Sequence, residues 1–381
     1  MAGELKNAEF PGRKLLEWNW HLAEVMGFDG GDRQILPPTL SKIYKIWSWI
    51  GMVIVITFST AYSLDPTIDS EGLAKSFVVS IGVTMLTFTK VTILMNKDRL
   101  GILFIRTRSI YSELAEHEQN WPDLRDAEQR SMRLIKIMAL FFLPHIPLCA
   151  LQAGMKMLLS GEPAYPFEMA TFGMPVALSW IIQLTSIALP ILFVWGNHAL
   201  LRIIIIQMSS YTTILVRLLE ERPILEDKAY DRRMFKLLND LYMMSADVSS
   251  LYGAGAALEL AMAPARSCFA CYHLQLALKS RNFESAFVVI LTFITCIATS
   301  CSYGISGEDI AIQHQRILDG ISNSNWYKCP SSARKPIIKL FTMSRTPMRM
   351  HYKYIMEFRI EQISNLMQTT YTLATALANF L

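Results

Sequence analysis

The sequence predicts an all-α, polytopic membrane protein with seven transmembrane helices. Three observations predict it. Of 381 residues, 52% are hydrophobic and only 18% charged, where soluble domains carry about a quarter charged. Seven apolar segments punctuate the chain, most of them near the roughly 20 residues that crossing a bilayer requires. The basic residues between these segments also alternate from one side to the other.

Taken in order, the apolar segments are residues 43–62, 73–94, 134–159, 174–206, 253–278, 285–303 and 354–377. The arm before them, residues 1–42, mixes Lys6, Arg13, Lys14 and Arg33 with acids and tryptophans and has no continuous apolar core. The first span is therefore expected to serve as the insertion signal. Pro144 and Pro147 break the third span, and Pro190 lies inside the fourth, which is expected to continue as a helix through Tyr211 to Glu220. The fifth is the least regular, interrupted by Glu259, Pro264, Arg266 and His273.

Orientation follows from the links. The arm carries five basic residues, the links after spans two and four carry seven and six, and residues 304–349 after span six carry seven. The links at 63–72 and 160–170 carry none, and the one at 279–284 carries two. Basic residues stay on the cytoplasmic side, so the N-terminus is placed inside and the C-terminus outside. A G-protein-coupled receptor has the opposite orientation. The chain also has no Asp-Arg-Tyr after span three and no Asn-Pro-x-x-Tyr in span seven.

The cytoplasmic links are long and amphipathic. Leu100, Leu103, Phe104, Ile110, Tyr111 and Leu114 recur at helical spacing, as do Met234, Leu237, Leu238, Leu241 and Met244. Apolar stripes of this kind predict packing, within the chain or between subunits. The chain is expected to divide into an arm (1–42), six spans (43–303), cytoplasmic helical stretches (304–353) and a last helix (354–381).

The last helix carries a polar stripe of Ser364, Gln368, Tyr371, Thr372 and Thr375 among Leu366, Met367, Leu373 and Leu377. Hydroxyls and an amide at membrane depth call for a partner helix or a column of water. Two readings stand at this point: an ion-pore face, and a packing face of the kind Ser and Thr often form between helices.

No paired carboxylates, nucleophile constellation or metal-ligand cluster lies at membrane depth, so neither an enzyme nor a cofactor is expected. Cys268-x-x-Cys271 has no second pair to complete a zinc site and reads as two buried thiols. A secondary transporter would need internal repeats, and none is found. No nucleic-acid partner is expected.

From the sixth span onward the chain resembles the insect odorant receptor family. The residues that carry the resemblance are Cys301-Ser302-Tyr303-Gly304, Glu308, Trp326-Tyr327, Arg334-Lys335-Pro336-Ile337, Arg345-Thr346-Pro347 and Thr370-Tyr371. Upstream, Pro163-Ala164-Tyr165-Pro166-Phe167 and Gln183 are similar to the family's outer loop and fourth span. The sister gustatory receptors end in Thr-Tyr, five apolar residues and Gln-Phe. Here Leu377 and Ala378 stand in the last two places, which favours the odorant branch over a gustatory-like homomeric channel.

The resemblance implies a ligand-tuning subunit of a tetrameric, ligand-gated, non-selective cation channel in a sensory-neuron membrane. Its implied partners are the odorant co-receptor, membrane lipid and a small volatile hydrophobic ligand. Four copies of the last span would surround the pore. With Thr370-Tyr371 as the register mark, the gate falls on Ala374 and Ala378, beside Gln368, Tyr371 and Thr375.

The resemblance also places the ligand in the outer half of the subunit, where a volatile wants aromatic and aliphatic walls with one or two polar groups. The candidates are Phe77, Ile81, Thr84 and Met85 on span two, and His145 and Cys149 on span three. Phe172, Trp180 and Gln183 come from span four and its approach, Tyr272 from span five and Phe287 from span six. His145 sits between two prolines that free backbone carbonyls. Either a ligand or one of those carbonyls can take its hydrogen bond.

Overall fold

The computed structural model describes residues 13–28, 37–68, 70–160, 174–221, 228–324, 326–353 and 355–380. The chain is almost wholly helical. α1 is Arg13–Val25, α2 Pro38–Ser63, α3 Ser70–Met95, α4 Lys97–Ala115, α5 Trp121–Phe142 and α6 His145–Ser160. α7 is Val176–Glu220, α8 Lys228–Lys279, α9 Phe283–Asn323, α10 Ser331–Met343 and α11 Ile360–Phe380. A two-residue antiparallel ribbon, β1 (His351–Tyr352) and β2 (Met356–Glu357), precedes α11.

Local chemistry accounts for the boundaries. α2 opens on proline and α5 on Trp121-Pro122, where the missing N–H costs nothing because the first turn has no acceptor for it. The third span is two helices, α5 and α6, parted at Leu143-Pro144. Pro190 sits inside α7. The carbonyl it frees, on Ser186, lies against Gly51 of α2, where a Cβ would come within 3.4 Å of it. Here glycine is needed for close approach.

Among the described residues, four helices are long and apolar enough to cross a membrane by length and composition: α2, α3, α7 and α9. α7, α8 and α9 run 45, 52 and 41 residues. Each continues well beyond the thickness of a bilayer, about 20 residues. On the cytoplasmic side these extensions pack with α1, α4 and α5 around one large core. That core includes Leu103, Phe104, Tyr111, Leu124, Ile204, Met208, Tyr211, Leu238, Met244 and Ile317. The two amphipathic stripes read from the sequence both face this core. Ion pairs Arg106–Asp247, Lys236–Glu113 and Arg217–Asp123 tie its rim. The exposed Lys236–Glu113 pair contributes about 0–1 kcal/mol, while Arg106–Asp247 is largely buried.

Two expected boundaries move. α9 passes residue 303 unbroken, so the sixth span and the first anchor helix are one rod. The last helix begins at Ile360 rather than Tyr354. The segment before it is the β1–β2 ribbon, in which Phe358 N–H donates to Met350 O at 3.0 Å. Lys353 adopts a positive φ of 49° at the turn. The carboxylate of Glu357 holds Arg349 and Arg359, and Phe358 is fully buried.

Candidate functional site

The large core reaches outward as far as Val55, Val83, Ile187 and Ala263. Beyond it a second, much smaller cluster joins α3, α8 and α9: Val78, Ala270 and Val289, with Phe269, Leu274 and Phe293 packed against them. Phe77 of α3 stacks on Phe269 of α8, with centroids 5.2 Å apart and planes at 19°. Nearby, His273 Nε2 meets Ser285 Oγ at 3.1 Å and links α8 to α9. This region is apolar and aromatic, with one polar link between α8 and α9.

One helical turn inward from Ala270 the character changes. Arg266 Nη2 lies 3.7 Å from Glu259 Oε1 and donates to Thr299 Oγ1 at 3.3 Å. The other Glu259 oxygen is 4.0 Å from His198 Nε2. The His198 ring stacks on Phe142 and tilts against Tyr303, whose hydroxyl accepts from Asn197 Nδ2 at 3.1 Å. All these polar residues are buried. Opposite charges at membrane depth are tolerated only when paired, and Glu259 and Arg266, seven residues apart on one face of α8, satisfy that. Gly82 of α3 leaves the flank of the guanidinium bare.

The pairing is incomplete. Both His198 ring nitrogens, Arg266 Nε and Asn197 Oδ1 are buried without hydrogen-bond partners among the described residues. Each such group costs about 1–3 kcal/mol, so a guest hydroxyl, carbonyl or water that bonds to them is favoured. α8 thus carries an apolar aromatic wall directly above a polar floor.

The sequence candidates divide against this geometry. Met85 and Gln183 are buried, with Gln183 Nε2 donating to Ser179 Oγ at 3.3 Å. Ile81, Trp180 and Tyr272 are half-buried, and Trp180 faces Gly154 of α6. Phe77 is exposed, one heptad before Thr84 on the same face of α3, and its ring stacks on Phe269 of α8.

Two candidates are corrected. Thr84 lies on the exposed stripe of α3 with Phe88, Val91 and Met95, and its hydroxyl bonds back to Ser80 O. Phe287 lies on the exposed stripe of α9 with Phe283, Ile290 and Ile294. In each case the helical period turns the side chain out of the subunit. Phe172 and the side chains of His145 and Cys149 lie outside the described residues.

Sequence reasoning left out the polar floor. Glu259 and Arg266 stood only as interruptions of the fifth span. Their seven-residue spacing inside an apolar helix was the available signal. His198, Asn197 and Tyr303 could not be joined to them without the packing of α7 and α9 on α8.

α11 rests on α8 and α9 through Leu366 and Thr370, both buried. Ser364, Gln368, Tyr371, Thr372 and Thr375 are exposed, Tyr371 at 74%. Thr372 and Thr375 donate back to Gln368 O and Tyr371 O, so these hydroxyls are satisfied within the helix. Ala374 is half-buried, and the Ala378 side chain is outside the described residues. Gly304 and Gly307 let α9 approach the start of α11, because a Cβ at either position would collide with Ile363 or Phe358.

A family model described as 7tm Odorant receptor matches residues 69–371. The chain belongs to that family. The receptor is a multi-pass membrane protein, the subunit of a ligand-gated channel and not an enzyme. Among solved structures it is similar to the insect olfactory receptor OR5 of Machilis hrabei in complex with eugenol. The TM-score is 0.82 at 11% identity, covering 97% of this chain and 99% of that one. A second structure of the same Machilis hrabei receptor gives a TM-score of 0.76 at 12% identity, covering 96% and 97%. No curated protein matches.

Proposed function

We propose that this receptor is a ligand-tuning subunit that opens a cation pore lined by α11, in a heterotetramer with the odorant co-receptor. The observation that carries this is the two-sidedness of α11. One face is buried against α8 and α9, while Gln368, Tyr371 and their neighbours stand exposed. A polar face at membrane depth needs water or like faces around it, and a ring of such helices provides both.

The ligand is a small, mostly apolar volatile. It lies against Phe77, Ile81, Phe269 and Tyr272, with its polar group toward Arg266 and His198. α8 and α9 carry both this site and the seat of α11, so a ligand that favours one arrangement of the pair shifts the pore equilibrium.

Whole-cell current tests the proposal, recorded with and without the co-receptor against a panel of volatiles. Ligand-evoked cation current only when both subunits are present supports it. Robust, tightly closed channels of this chain alone would overturn the heteromeric reading. Alanine at 374 and 378 makes a poor hydrophobic plug and leaves closure to bulkier side chains of the partner.

A further inference from the structure

A groove of about 400 Å³ lies on the inner half of the subunit between α5, α7 and α9, away from both the ligand site and α11. Arg130, Arg133, Arg202 and Arg316 line it, against one carboxylate, Asp309. Arg202 is committed to Asp309 at 2.8 Å and Ser306 at 3.3 Å. Arg316 reaches Thr213 Oγ1 at 3.1 Å, and Arg130 pairs with Asp126. Arg133 is exposed and has no ion-pair partner among the described residues.

Helical register orders this charge along the membrane normal. On α5, which runs outward, Arg130, Arg133, Ile137, Leu140 and Phe141 share one face, and all five are exposed. On α9, which runs inward, Ile305, Ile312 and Arg316 share a face and are exposed as well. Both helices therefore present arginine on the cytoplasmic side and bare apolar surface directly above it.

We propose that this groove is a binding site for an anionic phospholipid of the inner leaflet, its phosphates held by the arginines and its acyl chains on the apolar stripes of α5 and α9. Guanidinium groups match phosphate oxygens in bidentate geometry, and basic pockets between spans on the cytoplasmic side suit such headgroups. Four arginines against two aspartates, Asp309 in the groove and Asp126 beside Arg130, leave a net positive charge that selects against a neutral lipid. The apolar continuation selects for an occupant with tails over a soluble anion. A second copy is disfavoured because its inner surface carries the same basic excess.

The test uses the full chain in phosphatidylcholine nanodiscs containing phosphatidylinositol bisphosphate, with retained lipid read by native mass spectrometry. Arg133→Gln or Arg316→Gln should weaken retention about fivefold each, and the pair about thirtyfold. Lys335→Gln with Arg345→Gln, exposed positions elsewhere, should change nothing. Leu140→Gln, which keeps every arginine, should also weaken retention. Equal retention by the wild type and the arginine pair would overturn the proposal. So would displacement by soluble inositol trisphosphate at matched concentration, which would mean a headgroup-only site. A change in subunit number in the arginine pair with lipid retention intact would overturn it as well, marking the face as an interface between copies.

Discussion

Replacing Gly307 with alanine tests the seat of α11 most directly. The new Cβ would fall inside van der Waals contact of the Phe358 carbonyl oxygen, 2.8 Å from its carbon and 3.0 Å from the Phe358 Cβ. Phe358 has no open direction to move in: it is fully buried, and its N–H is bonded to Met350 O at 3.0 Å. Overpacking of this kind costs about 1–3 kcal/mol. Straining the ribbon bond adds about 0.5–1.5 kcal/mol. Alanine's better helix propensity returns about 1 kcal/mol, for a net loss of about 0.5–3.5 kcal/mol. Heating the purified receptor while following intrinsic fluorescence should show a Tm several degrees below wild type, and ligand-evoked current should fall with it. Gly101→Ala is the internal control, because nothing lies within 4 Å of a Cβ there. It should match the wild type or melt slightly higher. A Gly307→Ala receptor that melts with the control and conducts normally would refute the reasoning.

Other outcomes follow from the same geometry. Glu259→Gln strands Arg266 and should destabilise the receptor by about 3–5 kcal/mol, while the double change Glu259→Gln with Arg266→Met should recover much of that loss in the same melting assay. Phe269→Ala removes the partner of Phe77 and should shift the half-maximal ligand concentration by tenfold or more; Thr84→Ala and Phe287→Ala, on exposed stripes, should leave it within about twofold. Gln368→Ala should alter relative cation permeability measured from reversal potentials, and unchanged permeability and activation would remove this residue from the pore face.

Hydropathy made the rods legible. The long fourth helix, its continuation to Glu220 and the break at Pro144 all follow from local rules about apolar length and proline. The start of α11 was not legible. Residues 355–359 have helical, half-apolar composition, yet Met356–Glu357 form a strand, and Phe358 beside them packs against Gly307, a long-range contact. The two corrected ligand candidates fail for a related reason. Thr84 and Phe287 have suitable chemistry, but which face of α3 or α9 looks inward depends on neighbours that a single sequence does not place. Arg266 is the reverse case. Its chemistry looked like a flaw in a span until Glu259, Thr299 and His198 were brought around it.

The unbroken length of α7, α8 and α9 sets a rule for how such a chain can vary. At 3.6 residues per turn, one inserted residue rotates everything beyond it by about 100°. In α9 the stretch from Thr299 to Gly307 carries the polar floor at one end and the seat of α11 at the other. A single insertion between them would turn one of these away from its partner, however conservative the added residue. Ligand range in such a receptor can therefore drift by substitution along the rods, while changes of length are confined to the segments between them.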